Sequence, residues 1–133
     1  MLDLIKNNLV ILNLVIISLF AGADLALGYI IYSRNKSLLA NKLFLLVTTA
    51  LTFWMVTNFF LATTSNVKTA YILNGLAYTF GFLAVYVSLL FANAYPVESR
   101  FIRNTKKLKV TTIAVALFSV LSATPLIAGN VYK

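Results

Sequence analysis

Few residues in this chain are able to perform chemistry. The sequence contains no histidine and no cysteine, and its carboxylates are Asp3, Asp24 and Glu98. The chain therefore lacks an imidazole base, a thiol nucleophile, a disulfide and the usual ligands of zinc. The carboxylates are far apart in sequence, and the glycines do not take the spacing of a phosphate-binding loop. We expect no enzymatic activity and no cofactor or metal site in this chain.

Asp24 lies inside a long apolar stretch, where an ionised carboxylate costs about 2.5–3.5 kcal/mol near the centre of a membrane helix. A residue that costs so much needs a role, and two interpretations remain open. Asp24 either binds a ligand, an ion or a proton inside a helix bundle, or hydrogen-bonds hydroxyl groups and fixes the helix register. The hydroxyl groups expected at a similar depth belong to Thr49, Thr52, Tyr86 and Ser88.

The remaining polar candidates are a tryptophan and several asparagines. Trp54 is in the middle of an apolar stretch, and its indole N–H needs a partner, so we expect it to face another helix or a cavity. Packing and contact with a small hydrophobic ligand both fit this position. Asn13, Asn58 and Asn74 are expected to hydrogen-bond between helices, although a polar cavity open to the outer side would also use them. The candidate sensing residues are Asp24, Thr52, Trp54, Asn58 and Tyr86.

Four apolar stretches must position these side chains. They cover residues 9–31, 43–62, 70–91 and 110–127, each at or near the ~20 residues that a helix needs to cross about 30 Å of hydrocarbon. Hydrophobic residues make up 61% of the chain and charged residues 11%, against about 25% charged residues in soluble domains. The predicted fold is all-α, a polytopic integral membrane helix bundle with four transmembrane helices in a single membrane domain, 1–133.

The first stretch also has some features of a secretory signal peptide. Lys6 precedes the apolar run, and Ala21, Gly22 and Ala23 form a possible cleavage site. The run continues past that site to Ile31, and its amino-terminal flank lacks a clear positive excess, which favours a retained span. Cleavage would leave three spans.

The net charge of +8 comes from cations concentrated in two predicted loops, 32–42 and 92–109. These loops carry Arg34, Lys36, Lys42, Arg100, Arg103, Lys106, Lys107 and Lys109, whereas Lys6, Lys68 and Lys133 lie on the other side. By the positive-inside rule, both basic loops are cytoplasmic and both termini lie outside a multi-pass plasma membrane protein. Anionic lipid headgroups are the expected partners of the cations. Nucleic-acid binding is not expected, because no basic aromatic surface or binding motif accompanies the charge.

The second basic loop has the densest charge. Pro96 should end the third helix, because the residue before a proline disfavours helical geometry. The segment 97–109 then fits either a short interfacial helix or a solvated basic loop. Its lipid-facing cations are Arg100, Arg103, Lys106, Lys107 and Lys109.

Two segments carry a resemblance to a known family. From Ser33-Arg34-Asn35-Lys36, a polar basic loop leads through Asn41, Lys42 and Phe44 to the mid-helix Trp54. This pattern resembles the start of the seven-helix membrane sensor region at the amino terminus of bacterial histidine kinases and some diguanylate cyclases. The segment from Phe91 to Pro96 is similar to the aromatic–proline exit of a helix in that region. The resemblance implies the first four of seven helices, with the catalytic kinase domain outside this chain.

The resemblance therefore implies a membrane-embedded sensor, the signal-input region of a two-component system. Its expected partners are membrane lipids, a small-molecule or membrane stimulus, and a downstream kinase module or a second copy of the chain. The chain would be a fragment of a longer reading frame or a separate protein. The alternative is a small four-helix membrane protein that acts as a transporter subunit or a structural partner.

Overall fold

The computed structural model describes residues 2–95, 102, 104–122 and 124. This part of the chain is all-α, as predicted, and contains four helices. The helices are α1 (Leu2–Arg34), α2 (Leu39–Thr63), α3 (Val67–Ala94) and α4 (Thr105–Ser122).

Within the described residues, three helices are long and apolar enough to cross a membrane. These candidate spans are Asn8–Arg34 of α1, Leu39–Thr63 and Val67–Ala94. The expected fourth crossing, 110–127, is not established, because α4 is an 18-residue helix that carries lysines in its first turns. Residues 123 and 125–127 of that expected span lie outside the described residues.

Polar side chains set the turn between α1 and α2. The Asn35 side-chain oxygen accepts hydrogen bonds from the Ser37 backbone N–H at 3.1 Å and from the Ser37 hydroxyl at 2.6 Å. The Asn41 side chain donates to the Asn35 backbone oxygen across the turn. An asparagine that bonds backbone groups two residues on is typical of tight turns, and the short connection makes α1 and α2 antiparallel.

The boundaries of α3 have local causes. Asn66 caps its amino terminus, where the side-chain oxygen accepts from the backbone N–H groups of Lys68 and Thr69. Asparagine is favoured there because a helix start leaves its first N–H groups without partners. The helix ends at Ala94, and Tyr95 is extended, as expected for the residue before Pro96.

The four helices lie in a row in chain order. Among the described helices, α1 contacts α2, α2 contacts α3 and α3 contacts α4, and no other pair is in contact. This arrangement is more open than the bundle expected from the sequence. Its physical reason is that short connections place consecutive helices side by side, while the hydrophobicity of each helix is nearly uniform around its axis and selects no single inner face.

The best-packed part of the row is at the end where α2 begins and α3 ends. Buried Ala40 and Leu43 of α2 pack there with Val87 and Ala94 of α3. Small side chains allow close approach of the two backbones. The rings of Phe44 and Phe91 lie 5.5 Å apart at the same level, a distance typical of a favourable aromatic pair.

Most of the described cations gather at this same end of the row. Arg34 ends α1, Lys36 lies in the following turn, and Lys42 lies in the first turns of α2. The lysines of α4 join them because α4 runs antiparallel to α3. Lys68, in the first turn of α3, lies at the opposite end.

Candidate functional site

An open cleft with a volume of about 710 Å³ lies between α2 and α3. This is within the range of about 300–1,000 Å³ found for small-molecule sites. Its walls are mostly apolar and include aromatic rings. The lining residues are Leu51, Trp54 and Asn58 of α2, and Asn74, Ala77, Tyr78, Gly81, Phe82, Ala84, Val85 and Ser88 of α3.

Trp54 forms the floor of the cleft by packing over a glycine of α3. A Cβ atom added to Gly81 would lie 3.3 Å from Trp54 Nε1 and 3.5 Å from its Cδ1. The absence of a side chain at Gly81 therefore leaves room for the indole. Trp54 remains 42% exposed, so one side of the ring is open to an occupant of the cleft. The expectation that Trp54 faces a helix or a cavity agrees with this placement.

Polar groups are concentrated at one part of the cleft. The Asn58 amide nitrogen donates to the Trp54 backbone oxygen at 2.7 Å, which leaves its side-chain oxygen as an acceptor. Within the described part of the chain, the indole N–H of Trp54, the Asn74 amide and the Tyr78 hydroxyl have no hydrogen-bond partner. The cleft therefore offers both donors and acceptors inside largely apolar walls.

A second aromatic contact holds α2 against α3 beside the cleft. The rings of Phe53 and Phe80 are stacked, with centroids 5.2 Å apart and an interplanar angle of 17°. Thr57, one turn further along α2, is buried, and its hydroxyl donates to the Phe53 backbone oxygen at 2.7 Å. These contacts do not line the cleft, but they fix the spacing of the two helices that form it.

The contact between α1 and α2 is centred on a glycine. Gly28 is buried, and a Cβ atom added to it would overlap Thr48 Oγ1 and lie 3.2 Å from Leu45 Cδ1. The two helices are antiparallel, so one turn back from Gly28 corresponds to one turn forward from Thr48. This register places Asp24 and Thr52 at the same level of the contact.

Asp24 and Thr52 are both unusual at this level. Asp24 is half-buried on the side of α1 that faces α2. Thr52 is 8% exposed, and its Oγ1 has no hydrogen-bond partner among the described residues. The other threonines of α2 donate to backbone oxygens of their own helix; they are Thr48, Thr49, Thr57 and Thr63. Thr52 is therefore set apart as a hydroxyl available to a neighbouring group.

The structure does not gather the predicted polar residues into one cluster around Asp24. Within the described helices, α1 touches α2 alone, so Tyr86 and Ser88 of α3 lie on a helix that Asp24 does not contact. Ser88 lines the α2–α3 cleft, and the Thr49 hydroxyl donates to Leu45. Of the hydroxyl groups expected near Asp24, only that of Thr52 lies at the level of Asp24 and makes no hydrogen bond within its own helix.

Tyr86 instead joins α3 to α4. Its buried hydroxyl lies 2.5 Å from Thr112 Oγ1. Two turns towards the start of α3, the Thr79 hydroxyl lies within hydrogen-bonding distance of the Gly75 and Ser119 backbone oxygens, 2.9 and 3.1 Å away. Two polar contacts therefore set the register of α4 against α3.

The predicted basic loop is only partly described. Lys106, Lys107 and Lys109 are exposed and lie in α4 rather than in a loop. Asn104 stabilises this helix start, because its side-chain oxygen accepts from the Lys107 backbone N–H at 3.2 Å. Arg100 and Arg103 lie outside the described residues.

Sequence reasoning does not find Tyr78 of the cleft or the residues Thr79 and Thr112 of the α3–α4 contact. Gly81 lies one turn from Ala77 on the same helix face, a spacing that predicts close approach of another helix, but it does not name Trp54 as the residue that packs there. Their role depends on which helices are neighbours, and local sequence patterns do not reveal that. Among the described residues, no group of carboxylate, histidine or cysteine side chains could hold a metal ion.

Comparisons of the chain with protein-family models, with curated proteins and with solved structures found no match. The resemblance to a kinase sensor region therefore stays a prediction.

Proposed function

We propose that this chain is a membrane-embedded signal-input unit, in which occupation of the α2–α3 cleft changes the packing of the neighbouring helices. The observation that carries this proposal is the cleft itself. Its apolar walls enclose the Trp54 indole N–H, the Asn74 amide and the Tyr78 hydroxyl, which have no hydrogen-bond partner among the described residues. Polar groups within membrane spans are costly and mark functional sites by default. The earlier resemblance to the sensor region of histidine kinases is consistent with this role, with the output module in another part of the protein or in a partner.

The membrane topology belongs to the same proposal. Three candidate spans and the cations gathered at one end of the row support a plasma membrane protein with that end in the cytoplasm. In this orientation the amino terminus is outside and residues 110–127 make the fourth crossing. The lysines of α4 then lie at the cytoplasmic surface, where anionic headgroups attract them.

Helix α3 is the element that would transmit the signal. It lines the cleft on one side and contacts α4 on the other, and Phe82 and Val85 border both the cleft and a smaller cavity against α4. An occupant that moved these side chains would favour a different position of α4. Such a shift requires the occupant to bind two helix arrangements with different affinities.

Distances between spin labels on α2 and α4 would test the proposal. The chain has no native cysteine, so labels can be attached at exposed Leu46 and Leu117 after replacement by cysteine. The protein would be reconstituted in phosphatidylethanolamine–phosphatidylglycerol vesicles, with and without oleyl alcohol and over a series of acyl-chain lengths. We expect two populations of distances whose ratio changes with at least one stimulus.

A matched pair of labels on α2 and α3, at Leu46 and Leu89, serves as the control, because both positions are exposed and their helices share the well-packed end of the row. The α2–α3 distance should change less than the α2–α4 distance. A single unchanged α2–α4 distance under every stimulus would overturn the signal-input proposal.

A structural or transporter subunit is the second candidate, and the exposure of α1 favours it. Leu19 and Phe20 on α1 are 68% and 65% exposed, and α1 touches one other helix of the described chain. A partner protein in the membrane would cover part of this surface. A Leu19→Cys variant would be treated with a cross-linker in native membranes. This candidate predicts a discrete adduct with another protein, whereas a surface that faces lipid would leave the chain as a monomer.

A further inference from the structure

We infer that the α2–α3 cleft binds an uncharged amphipathic molecule with a carbonyl or hydroxyl head and an apolar tail. This inference rests on the proposed function and names the class of ligand. Three features of the cleft support it: the charge of its lining, the position of its polar groups and its shape.

The lining carries no formal charge. None of the residues that border the cleft is a lysine, arginine, aspartate or glutamate. Asp24 lies on α1, which packs against α2 and makes no contact with α3 among the described helices. Lys42 and Lys68 lie in the first turns of α2 and α3, away from the middle of the spans. A charged head in this cleft would have no opposite charge to compensate its desolvation.

The polar groups suit a neutral oxygen. The Trp54 indole N–H can donate to a carbonyl or hydroxyl oxygen, and the free side-chain oxygen of Asn58 can accept from a hydroxyl. Because Trp54 lies against Gly81 and the helices are antiparallel, Asn58 is at the level of Ala77. Asn74 and Tyr78 lie within one turn of that level, so these groups surround one region of the cleft.

The remainder of the cleft suits an apolar tail. From Asn74 to Ser88 the α3 wall extends about 21 Å along the helix axis. Between the polar region and Ser88 the cleft is lined by apolar side chains, Leu51 of α2 and Phe82, Ala84 and Val85 of α3. The cleft is open at its side, so such a molecule can enter from the hydrocarbon without crossing water.

Quenching of tryptophan fluorescence tests this inference, because Trp54 is the only tryptophan of the chain. The full chain in phosphatidylcholine vesicles would be titrated with dibrominated stearyl alcohol and with the methyl ester of dibrominated stearic acid. Dibrominated octadecane, which has no head, and dibrominated stearyl sulfate, which is permanently anionic, are the matched probes. We expect the alcohol and the ester to quench saturably, and at a several-fold lower mole fraction than the other two probes.

Substitutions locate the head. Asn74→Leu should raise the half-saturating mole fraction of the alcohol about three- to tenfold, the range that one hydrogen bond supplies. Asn13→Leu, the same substitution on α1, should leave it unchanged, because α1 makes no contact with α3 among the described helices. Gly81→Leu should abolish saturable quenching by filling the floor. Unchanged tryptophan emission and circular dichroism of Asn74→Leu without probe would verify that the fold is intact.

Equal quenching by all four probes would overturn the inference, since the cleft would then be an ordinary lipid-facing surface. Tighter binding of the sulfate would overturn it as well. The spin-label experiment separates this result from the proposed function. Saturable binding of the alcohol without a change in the α2–α4 distance would retain the ligand class and refute signal input. A distance that responds to oleyl alcohol, together with equal quenching by all four probes, would retain signal input and refute the ligand class.

Discussion

Gly28 is the residue on which the close contact of α1 with α2 most directly depends. A Cβ at this position would overlap the Thr48 hydroxyl, which is held by its hydrogen bond to Leu45. We therefore expect Gly28→Ala to force the helices apart and to lower the free energy of unfolding by about 1–3 kcal/mol, the usual cost of overpacking. Titration of detergent-solubilised protein with sodium dodecyl sulfate would measure the loss.

Two variants make this prediction specific. Gly22→Ala on the same helix should have little effect, because a Cβ there meets nothing within 4 Å. Thr48→Ala should recover part of the stability lost by Gly28→Ala, since it removes the overlapping oxygen. Equal losses for Gly22→Ala and Gly28→Ala would contradict the prediction, because alanine is a better helix former than glycine and the loss at Gly28 could then not be assigned to its contact with Thr48.

Asp24 should tolerate conversion to the neutral amide. We expect Asp24→Asn to insert normally and to strengthen the α1–α2 contact by up to about 1 kcal/mol, because the amide can donate to Thr52, whose hydroxyl has no partner among the described residues. The gain should disappear in a Thr52→Val background, as a double-mutant cycle measured by the same titration would establish. Additive changes in the free energy of unfolding would mean that the side chains at positions 24 and 52 do not interact.

The pairing of α3 with α4 is a property of elements, and it depends on a small number of polar contacts. Tyr86→Phe removes the bond to Thr112 and should cost about 0.5–1.5 kcal/mol, the range for hydrogen bonds between membrane helices. Spin labels at Leu89 and Leu117 should then give a broader distance distribution.

Tyr78→Phe is the matched control for this variant. Tyr78 is on the same helix, is exposed, and makes no hydrogen bond within the described residues. A distribution that broadens equally in both variants would mean that the Tyr86 hydroxyl does not hold α4 in place.

At the scale of the whole molecule, the distribution of cations should control orientation. Replacing Arg100, Arg103 and the three lysines of α4 by glutamine removes most of the positive charge from one side, so we expect mixed or inverted topology. A single cysteine at Ser65, in the turn between α2 and α3, would report sidedness through labelling by an impermeant reagent. Lys68→Gln should leave the labelling pattern unchanged, and unaltered sidedness after the five replacements would remove this segment as the orientation signal.

Some features of the fold follow from local sequence. The apolar stretches 43–62 and 70–91 lie within α2 and α3, and the extended Tyr95 before Pro96 marks the end of α3. These features depend on hydrophobicity, helix length and a proline, all of which act over a few residues. The placement of Trp54 in a cavity could also be anticipated, because an indole N–H in an apolar span needs a polar neighbour or a cleft.

Other features required the three-dimensional arrangement. Tyr86 was expected near Asp24 from its depth alone, whereas it bonds Thr112 of α4. Depth along a span follows from counting residues, but the direction of a side chain around the axis has meaning only when the neighbouring helix is known. The spacing of Ala77 and Gly81 predicts close helix packing, but the residue that packs against Gly81, Trp54 of α2, is known only from the tertiary structure.

The sequence by itself determined that this protein is helical, rich in apolar segments long enough to span a membrane, and basic at one end of its helices, because composition and residue spacing govern these properties directly. Only the tertiary structure decided that the helices form an open row, that α2 and α3 enclose a cleft, and that Asp24 and Thr52 lie at the same level of the α1–α2 contact. The physical reason is that helices with nearly uniform apolar surfaces have many comparable ways to pack, and the close fit of a few small and polar side chains selects one of them.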